Sequence, residues 1–195
     1  MEHRIGIWGD SITWGAVDRE GGWADRLKRF FLEKYDDMEV YNLGISGDTS
    51  TGVKARFEVE CSARETGIVV FAIGINDAMS VGGIQKTNLT TFETNYRWLV
   101  EQAQARKSKV VCVGLLRVDE SKTVPVRWNS TISYHNEDIE KYDAIIRKVA
   151  KEQEVPYVLL EDLFTPEDFF DGLHPNDQGH QALFKRMKDV MESLL

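Results

Sequence analysis

Short apolar runs alternate with longer amphipathic stretches along the chain. Five runs rich in β-branched residues have the length of buried strands, namely residues 5–8, 40–43, 68–73, 110–116 and 155–160. Between them, apolar residues recur every three or four positions on otherwise charged segments, which is typical of helices that bury one face. Segment 51–64 is a weaker helix candidate because its apolar residues are sparse.

Strand and helix alternate five times, which predicts right-handed crossovers and a parallel sheet covered by helices on both faces. We therefore expect one α/β domain spanning residues 1–195, with a five-stranded parallel sheet. Residues 117–136 form the one long irregular stretch. A loop of that length in a compact domain is usually functional or mobile, so we expect it to border the substrate site.

Composition excludes several classes of protein. Hydrophobic residues make up 42% of the 195 residues, enough for a sizeable core, and the net charge is -8. An acidic chain without a basic run is a poor binder of nucleic acid or anionic membranes. Two cysteines, Cys61 and Cys112, are too few for a disulfide scaffold. Residues 1–4 run directly into the first predicted strand without the features of a secretory signal, which predicts a cytoplasmic domain.

Residues that can act in catalysis or bind a ligand follow four of the predicted strands. Because ligands of open parallel sheets bind at the carboxyl ends of the strands, these segments are expected at one rim. They are Gly9-Asp10-Ser11-Ile12-Thr13, Gly44-Ile45-Ser46-Gly47-Asp48-Thr49, Gly74-Ile75-Asn76-Asp77 and Asp171-Gly172-Leu173-His174-Pro175.

Each of these residues also has a purely structural explanation. Ser11 suits a helix N-cap, Asn76 a turn cap, and Gly44 and Gly74 suit positive φ angles. His174, before a proline, suits the surface at a helix start. Together, however, they supply the nucleophile, base, orienting carboxylate and oxyanion donors that acyl transfer needs.

The three-residue spacing of Asp171 and His174 lets their side chains meet within one turn. A carboxylate bonded to one imidazole nitrogen leaves the other nitrogen free to take a serine proton. The backbone amides of Ser11 and Gly44 can point into the same space, and the Asn76 side chain adds a neutral donor.

These segments resemble the four sequence blocks of the GDSL, or SGNH, hydrolase family, in the family's order and over most of the chain. The resemblance implies a flavodoxin-like three-layer αβα fold and a serine hydrolase acting on ester, thioester or O-acetyl sugar bonds. It implies that Ser11 is the nucleophile, His174 the general base and Asp171 the residue that orients it. The implied oxyanion hole is made by Ser11 N–H, Gly44 N–H and the Asn76 side chain. Ile12 replaces the family's leucine, a conservative change.

Other candidates are given structural roles. His180 is interpreted as a solvated or capping histidine, and Asp10 and Asp77 as hydrogen-bonding turn residues. No cluster of His, Cys and carboxylate residues has ligand spacing, so neither a metal nor another cofactor is expected. Aromatic residues that suit either an acyl or alcohol pocket or the core are Trp14, Trp128 and Tyr134.

The expected partner is a small-molecule acyl ester, with neither nucleic acid nor a membrane involved. The sequence predicts no particular oligomeric state or acyl-chain length. The alternative is a non-catalytic, flavodoxin-like binding module. Against it, Ile12 and Trp14 are bulky for a loop that cradles phosphate, and a receiver-like domain has no place for Asp171 paired with His174.

Overall fold

The computed structural model describes residues 4–195. Residues 1–3, which contribute to the expectation about the amino terminus, lie outside the described residues. Eight strands are present in the described chain: β1 Arg4–Gly9, β2 Glu39–Gly44, β3 Ile68–Ala72, β4 Ser80–Val81, β5 Ile84–Gln85, β6 Lys109–Val113, β7 Ile132–Ser133 and β8 Tyr157–Val158. They form a five-stranded sheet of order β2-β1-β3-β6-β8 and a three-stranded sheet of order β5-β4-β7.

Helices cover the larger sheet. Their bounds are α1 Ser11–Trp14, α2 Gly22–Lys34, α3 Ser50–Arg64, α4 Leu89–Ala105, α5 Glu120–Thr123, α6 Asn136–Glu152 and α7 Asp177–Glu192, with a short 3-10 helix at Pro166–Asp168. Helix α2 packs against α7, while α4 packs against both α3 and α6. None of the helices in the described part of the chain combines the length and apolarity that crossing a bilayer requires.

The five strands of the larger sheet are all parallel. The first four residues of β3 are fully buried, as expected for a central strand that packs on both faces. The predicted α/β fold with a five-stranded parallel sheet is confirmed. Since β2 and β3 lie on opposite sides of β1, the strand order reverses beside β1, and that is where ligands of such sheets bind.

Two predicted strands are shorter than expected, and one helix is better formed. The run 110–116 leaves the sheet after Val113, because the N–H of Leu115 donates to Oδ1 of Asp143 at 2.8 Å. The edge strand β8 has only two residues. Helix α3 is complete because Val53, Phe57 and Cys61, spaced by four, form a buried stripe that faces the core, although Val59 is exposed.

The stretch 117–136 is more ordered than its sequence indicates. It contains helix α5 and strand β7, and β7 pairs antiparallel with β4 through Ser80 and Ser133. Strands of two residues are too short to show an alternating pattern, so sequence inspection missed this sheet. The pairing fastens the stretch to the segment that follows β3, and therefore to the rim where ligands are expected.

Candidate active site

The first turn of the site follows β1. Gly9 is required there, because a Cβ at this position would lie 2.6 Å from the carbonyl oxygen of Ala72. Asp10 is the N-cap of α1, and its Oδ1 accepts the N–H of Ile12 at 3.0 Å. Ser11 is therefore the first helical residue rather than the N-cap that was considered for it. Its exposed fraction is 8%.

The second turn lies between β8 and α7. Oδ1 of Asp171 accepts the backbone N–H groups of Leu173 and His174, at 3.0 and 2.8 Å. Oδ2 of Asp171 lies 2.8 Å from Nδ1 of His174. Gly172 permits this turn, with a φ of 91°. The three-residue spacing does bring carboxylate and imidazole together within one turn, as the sequence predicts.

The two turns meet at the rim. Oγ of Ser11 lies 3.0 Å from Nε2 of His174. An ionised carboxylate only accepts hydrogen bonds, so Nδ1 carries the proton and Nε2 presents a lone pair to the serine hydroxyl. The arrangement can therefore pass the Ser11 proton to His174 while Asp171 holds the ring.

Asn76 lies in the turn after β3. Its Nδ2 donates to the carbonyl of Asp48 at 3.0 Å, and its Oδ1 accepts the hydroxyl of Tyr134 at 2.8 Å. The next residue, Asp77, fastens this turn to α3, because its carboxylate accepts the N–H and the hydroxyl of Ser50 at 2.9 and 2.6 Å. The amide group of Asn76 is thus held at the same rim as a neutral donor.

Gly44 does not fit the donor role expected of it. Its N–H donates to Oδ1 of Asn42 at 3.1 Å, and a Cβ on Gly44 would lie 2.3 Å from the backbone nitrogen of Trp14. The glycine is required by this close contact, and its φ is not positive. Gly47 in the following loop differs: its φ is 78°, a Cβ there would meet nothing within 4 Å, and its N–H has no acceptor among the described residues.

Two carboxyl groups near His174 have opposite electrostatic properties. Burial alone would raise the pKa of Asp171, but the hydrogen bonds from the His174 ring and from two backbone N–H groups outweigh it and lower the pKa to about 2. Burial raises the pKa of Asp10 to about 7, against the smaller effect of the Ile12 N–H. Asp171 is therefore ionised in the folded protein, while Asp10 holds its proton up to neutral pH.

Of the two roles expected of His180, solvated or capping, the solvated one is wrong, and the capping one fits its contact with the first turn of α2. It is fully buried, with Nδ1 3.3 Å from the N–H of Trp23 and Nε2 3.2 Å from the carbonyl of Ala16. Burial lowers its pKa. It joins α7 to α2 as a structural residue. Within residues 4–195, no group of three His, Cys, Asp or Glu side chains is placed to hold a metal ion.

The three aromatic candidates have different positions. Trp128 is 50% exposed, and its ring centroid lies 6.1 Å from that of His174. Trp14 is 57% exposed and borders a groove with residues of β2 and α2. Tyr134 is buried against Asn76. Residues 117–136 therefore do border the rim, through Trp128 and Tyr134.

The family of the chain follows from comparison with known proteins. A family model described as the GDSL-like Lipase/Acylhydrolase family matches residues 7–182. The chain belongs to this family. The resemblance found in the sequence is thereby confirmed, and with it the enzyme class, that of a carboxylic ester hydrolase.

Relatives of this GDSL hydrolase are named esterases. The chain is 25% identical over 192 residues to Esterase TesA of Pseudomonas aeruginosa, covering 96% of this chain and 87% of the relative. It is 27% identical over 204 residues to the isoamyl acetate-hydrolyzing esterase of Saccharomyces cerevisiae, covering 96% and 85%. Among solved structures, a lipase/acylhydrolase from Enterococcus faecalis has a TM-score of 0.82 at 22% identity, covering 99% of this chain and 96% of the other.

Proposed function

We propose that this GDSL hydrolase cleaves small acyl esters through a Ser11-His174-Asp171 triad. The observation that carries the proposal is the continuous chain of contacts from Ser11 Oγ to His174 Nε2 at 3.0 Å and from His174 Nδ1 to Asp171 Oδ2 at 2.8 Å. These three groups come from two turns that are 160 residues apart in sequence (171 against 11). Their convergence at the switch point of the sheet is what a ligand site in this fold requires.

Each group has a defined part in the first half of the reaction. His174 accepts the Ser11 proton at Nε2 as Oγ bonds to the ester carbonyl carbon, and the carbonyl electron pair moves onto oxygen. When the tetrahedral intermediate collapses, the bond to the alcohol oxygen breaks and His174 returns the proton to that oxygen. Water then repeats the sequence on the acyl-enzyme, which releases the acid and restores Ser11. Asp171 remains ionised and stabilises the imidazolium.

The developing oxyanion needs donors that are not already satisfied. Ser11 N–H has no acceptor among the described residues, and one of the two Nδ2 hydrogens of Asn76 remains after its bond to Asp48. With Gly44 N–H bonded to Asn42, Gly47 N–H takes its place as the third proposed donor, since Gly47 precedes Asp48 directly. The proposed hole is therefore Ser11 N–H, Gly47 N–H and Asn76 Nδ2.

The proposed substrate is the ester of a short acyl group, such as an acetyl ester of an alcohol or a sugar. One relative is named for hydrolysis of isoamyl acetate, an ester of that kind. The exposed ring of Trp128 beside His174 offers an apolar face on which the acyl group of such an ester can pack.

The test is hydrolysis of p-nitrophenyl acetate by the wild-type protein and Ser11→Ala. We expect kcat to fall by roughly 10⁴–10⁶-fold, because no other hydroxyl contacts His174 in the described structure. Ser46→Ala is the matched control, since Ser46 is an exposed serine of the same rim, in the Gly44-Ile45-Ser46-Gly47 loop. An activated phosphonate should label Ser11, which intact-protein and peptide mass spectrometry can locate.

Activity of Ser11→Ala within tenfold of wild type would contradict the proposal, as would phosphonate labelling at Ser46. Wild-type protein that hydrolyses neither p-nitrophenyl acetate nor an acetylated sugar would favour the binding-module alternative.

A further inference from the structure

Tyr134 makes a contact that the proposed reaction does not yet use. Its hydroxyl lies 2.8 Å from Oδ1 of Asn76, and both side chains are buried. The two residues are 58 positions apart in sequence. Tyr134 belongs to the stretch 117–136, so this hydrogen bond joins that stretch to the group proposed to stabilise the oxyanion.

The chemistry of the neighbours decides which way the Asn76 amide faces. The carbonyl of Asp48 can only accept a hydrogen bond, so the group 3.0 Å from it must be Nδ2. Oδ1 then faces Tyr134, whose hydroxyl must donate. Of the two Nδ2 hydrogens, one is bonded to Asp48 and the other is free for a ligand. An amide with both ends held in this way cannot rotate without breaking a buried hydrogen bond.

Both partners of Asn76 are themselves fixed. Arg56 holds the loop that carries Asp48, through its Nη2 contacts to Asp48 Oδ2 at 2.9 Å and to the carbonyl of Leu43 at 2.8 Å. The Tyr134 backbone exchanges hydrogen bonds with buried Thr123: its N–H donates to the Thr123 carbonyl at 3.0 Å, and its carbonyl accepts the Thr123 hydroxyl at 3.1 Å. The tyrosine is thus a rigid support.

The hydroxyl of Tyr134 also stays protonated. Burial, with the nearby carboxyl groups of Asp10 and Asp171, raises the pKa of Tyr134 above its ordinary value. The phenol therefore remains a donor to Asn76 over the pH range in which a serine hydrolase works.

We propose that Tyr134 is a positioning residue for the oxyanion hole, acting through Asn76. It fixes the amide so that the free Nδ2 hydrogen is directed at the reacting carbonyl oxygen. By donating to Oδ1, it also makes the amide N–H a stronger donor, because hydrogen bonds in a chain polarise one another. This inference rests on the proposed function, in which Asn76 stabilises the oxyanion.

The experiment is a double-mutant cycle of Tyr134→Phe and Asn76→Ala, with kcat and KM measured on p-nitrophenyl acetate. Tyr134→Phe keeps the ring and removes the one hydrogen bond. We expect kcat to fall by about 2- to 12-fold, the range of a single hydrogen bond, with KM little changed. In the Asn76→Ala background, where kcat is already lower by roughly 10²–10³-fold, the same substitution should have no further effect.

Tyr96→Phe is the matched control. Its hydroxyl is also buried and donates to a backbone carbonyl, that of Phe71 at 3.3 Å. It should lower Tm by an amount similar to Tyr134→Phe and leave kcat unchanged. A trifluoromethyl ketone gives a second measurement: Tyr134→Phe should weaken its tetrahedral adduct by the same factor as kcat.

Equal losses of kcat from Tyr134→Phe in the wild-type and Asn76→Ala backgrounds would overturn the proposal, as would a rise in KM alone. If the proposed function itself is wrong, the result is different: Ser11→Ala keeps full activity. If Ser11→Ala is inactive and Tyr134→Phe matches wild type in kcat, the triad stands and the role of Tyr134 does not.

Discussion

Two turns at the rim of the sheet, residues 9–14 and residues 170–175, can be compared closely. Each contains a buried aspartate whose charge interacts with His174, and an exposed tryptophan lies in the first turn (Trp14) and beside the second (Trp128). The carboxyl group of Asp171 has its pKa lowered to about 2, whereas that of Asp10 has its pKa raised to about 7. Both carboxyl groups are buried, Asp10 the more deeply, and their pKa values shift in opposite directions.

The difference lies in the hydrogen bonds that each carboxylate receives. Asp171 accepts from two backbone N–H groups and from the His174 ring, so the ionised form is stabilised more than burial destabilises it. Asp10 caps α1 by accepting from the Ile12 N–H, and there burial dominates. One turn thus holds a charge ready to stabilise an imidazolium, and the other holds a helix start with little charge.

The sharpest way to break this comparison is to exchange each carboxyl for an amide. Asp171→Asn should lower kcat by roughly 10³–10⁴-fold, because an amide no longer enforces the tautomer with a free Nε2 lone pair. Steady-state kinetics on p-nitrophenyl acetate gives this value. Asp10→Asn is the matched control and should cost far less, since asparagine caps a helix as well as aspartate. Equal losses from both variants would mean that Asp171 has no special role.

The two substitutions should change the free energy of unfolding in opposite directions. Asp10 in the folded protein keeps its proton up to about pH 7, whereas the unfolded chain releases it near 3.8. The free energy of unfolding therefore falls as pH rises through this window, by up to about 4 kcal/mol. Asp10→Asn cannot ionise and should lose this dependence, which urea unfolding at pH 5 and pH 8 measures.

For Asp171 the sign reverses. Its pKa is lowered, so the ionised form contributes stability above about pH 4 that is lost as pH falls through about 2. Asp171→Asn should therefore lower the free energy of unfolding at pH 7, while Asp10→Asn raises it at pH 8. A different outcome is that the free energy of unfolding changes between pH 5 and pH 8 by the same amount in wild type and in Asp10→Asn. That would show that the pKa of Asp10 is not raised.

The sequence predicted those features of the molecule that depend on residues close together in the chain. The apolar runs of the first three strands are long enough to be found, and Asp171 and His174 meet because three residues separate them on a glycine turn. The position of Ser11 follows from the rule that ligands bind after parallel strands. These features need no knowledge of distant contacts.

The features that sequence missed depend on distant contacts. Gly44 ends β2 and Gly47 follows it, and only the close approach of the distant Trp14 backbone shows that Gly44 is a glycine for packing. Tyr134 reaches Asn76 because the stretch 117–136 is fastened by strands of two residues, which leave no periodic pattern. The burial of His180 likewise arises where α7 packs on α2, far from it in sequence.

The smallest expected effect concerns the exposed tryptophans beside the two turns. Trp128 lies 6.1 Å from the His174 ring, whereas Trp14 faces a groove formed with β2 and α2. Trp128→Ala should change the ratio of kcat/KM between acetyl and longer acyl p-nitrophenyl esters by a few-fold, about the effect of one apolar contact. Tm should move little, because half of the side chain is already exposed. Trp14→Ala, the matched control, should leave this ratio unchanged. If Trp128→Ala lowers Tm and leaves this ratio of kcat/KM values unchanged, Trp128 supports the fold and does not contribute to acyl selectivity.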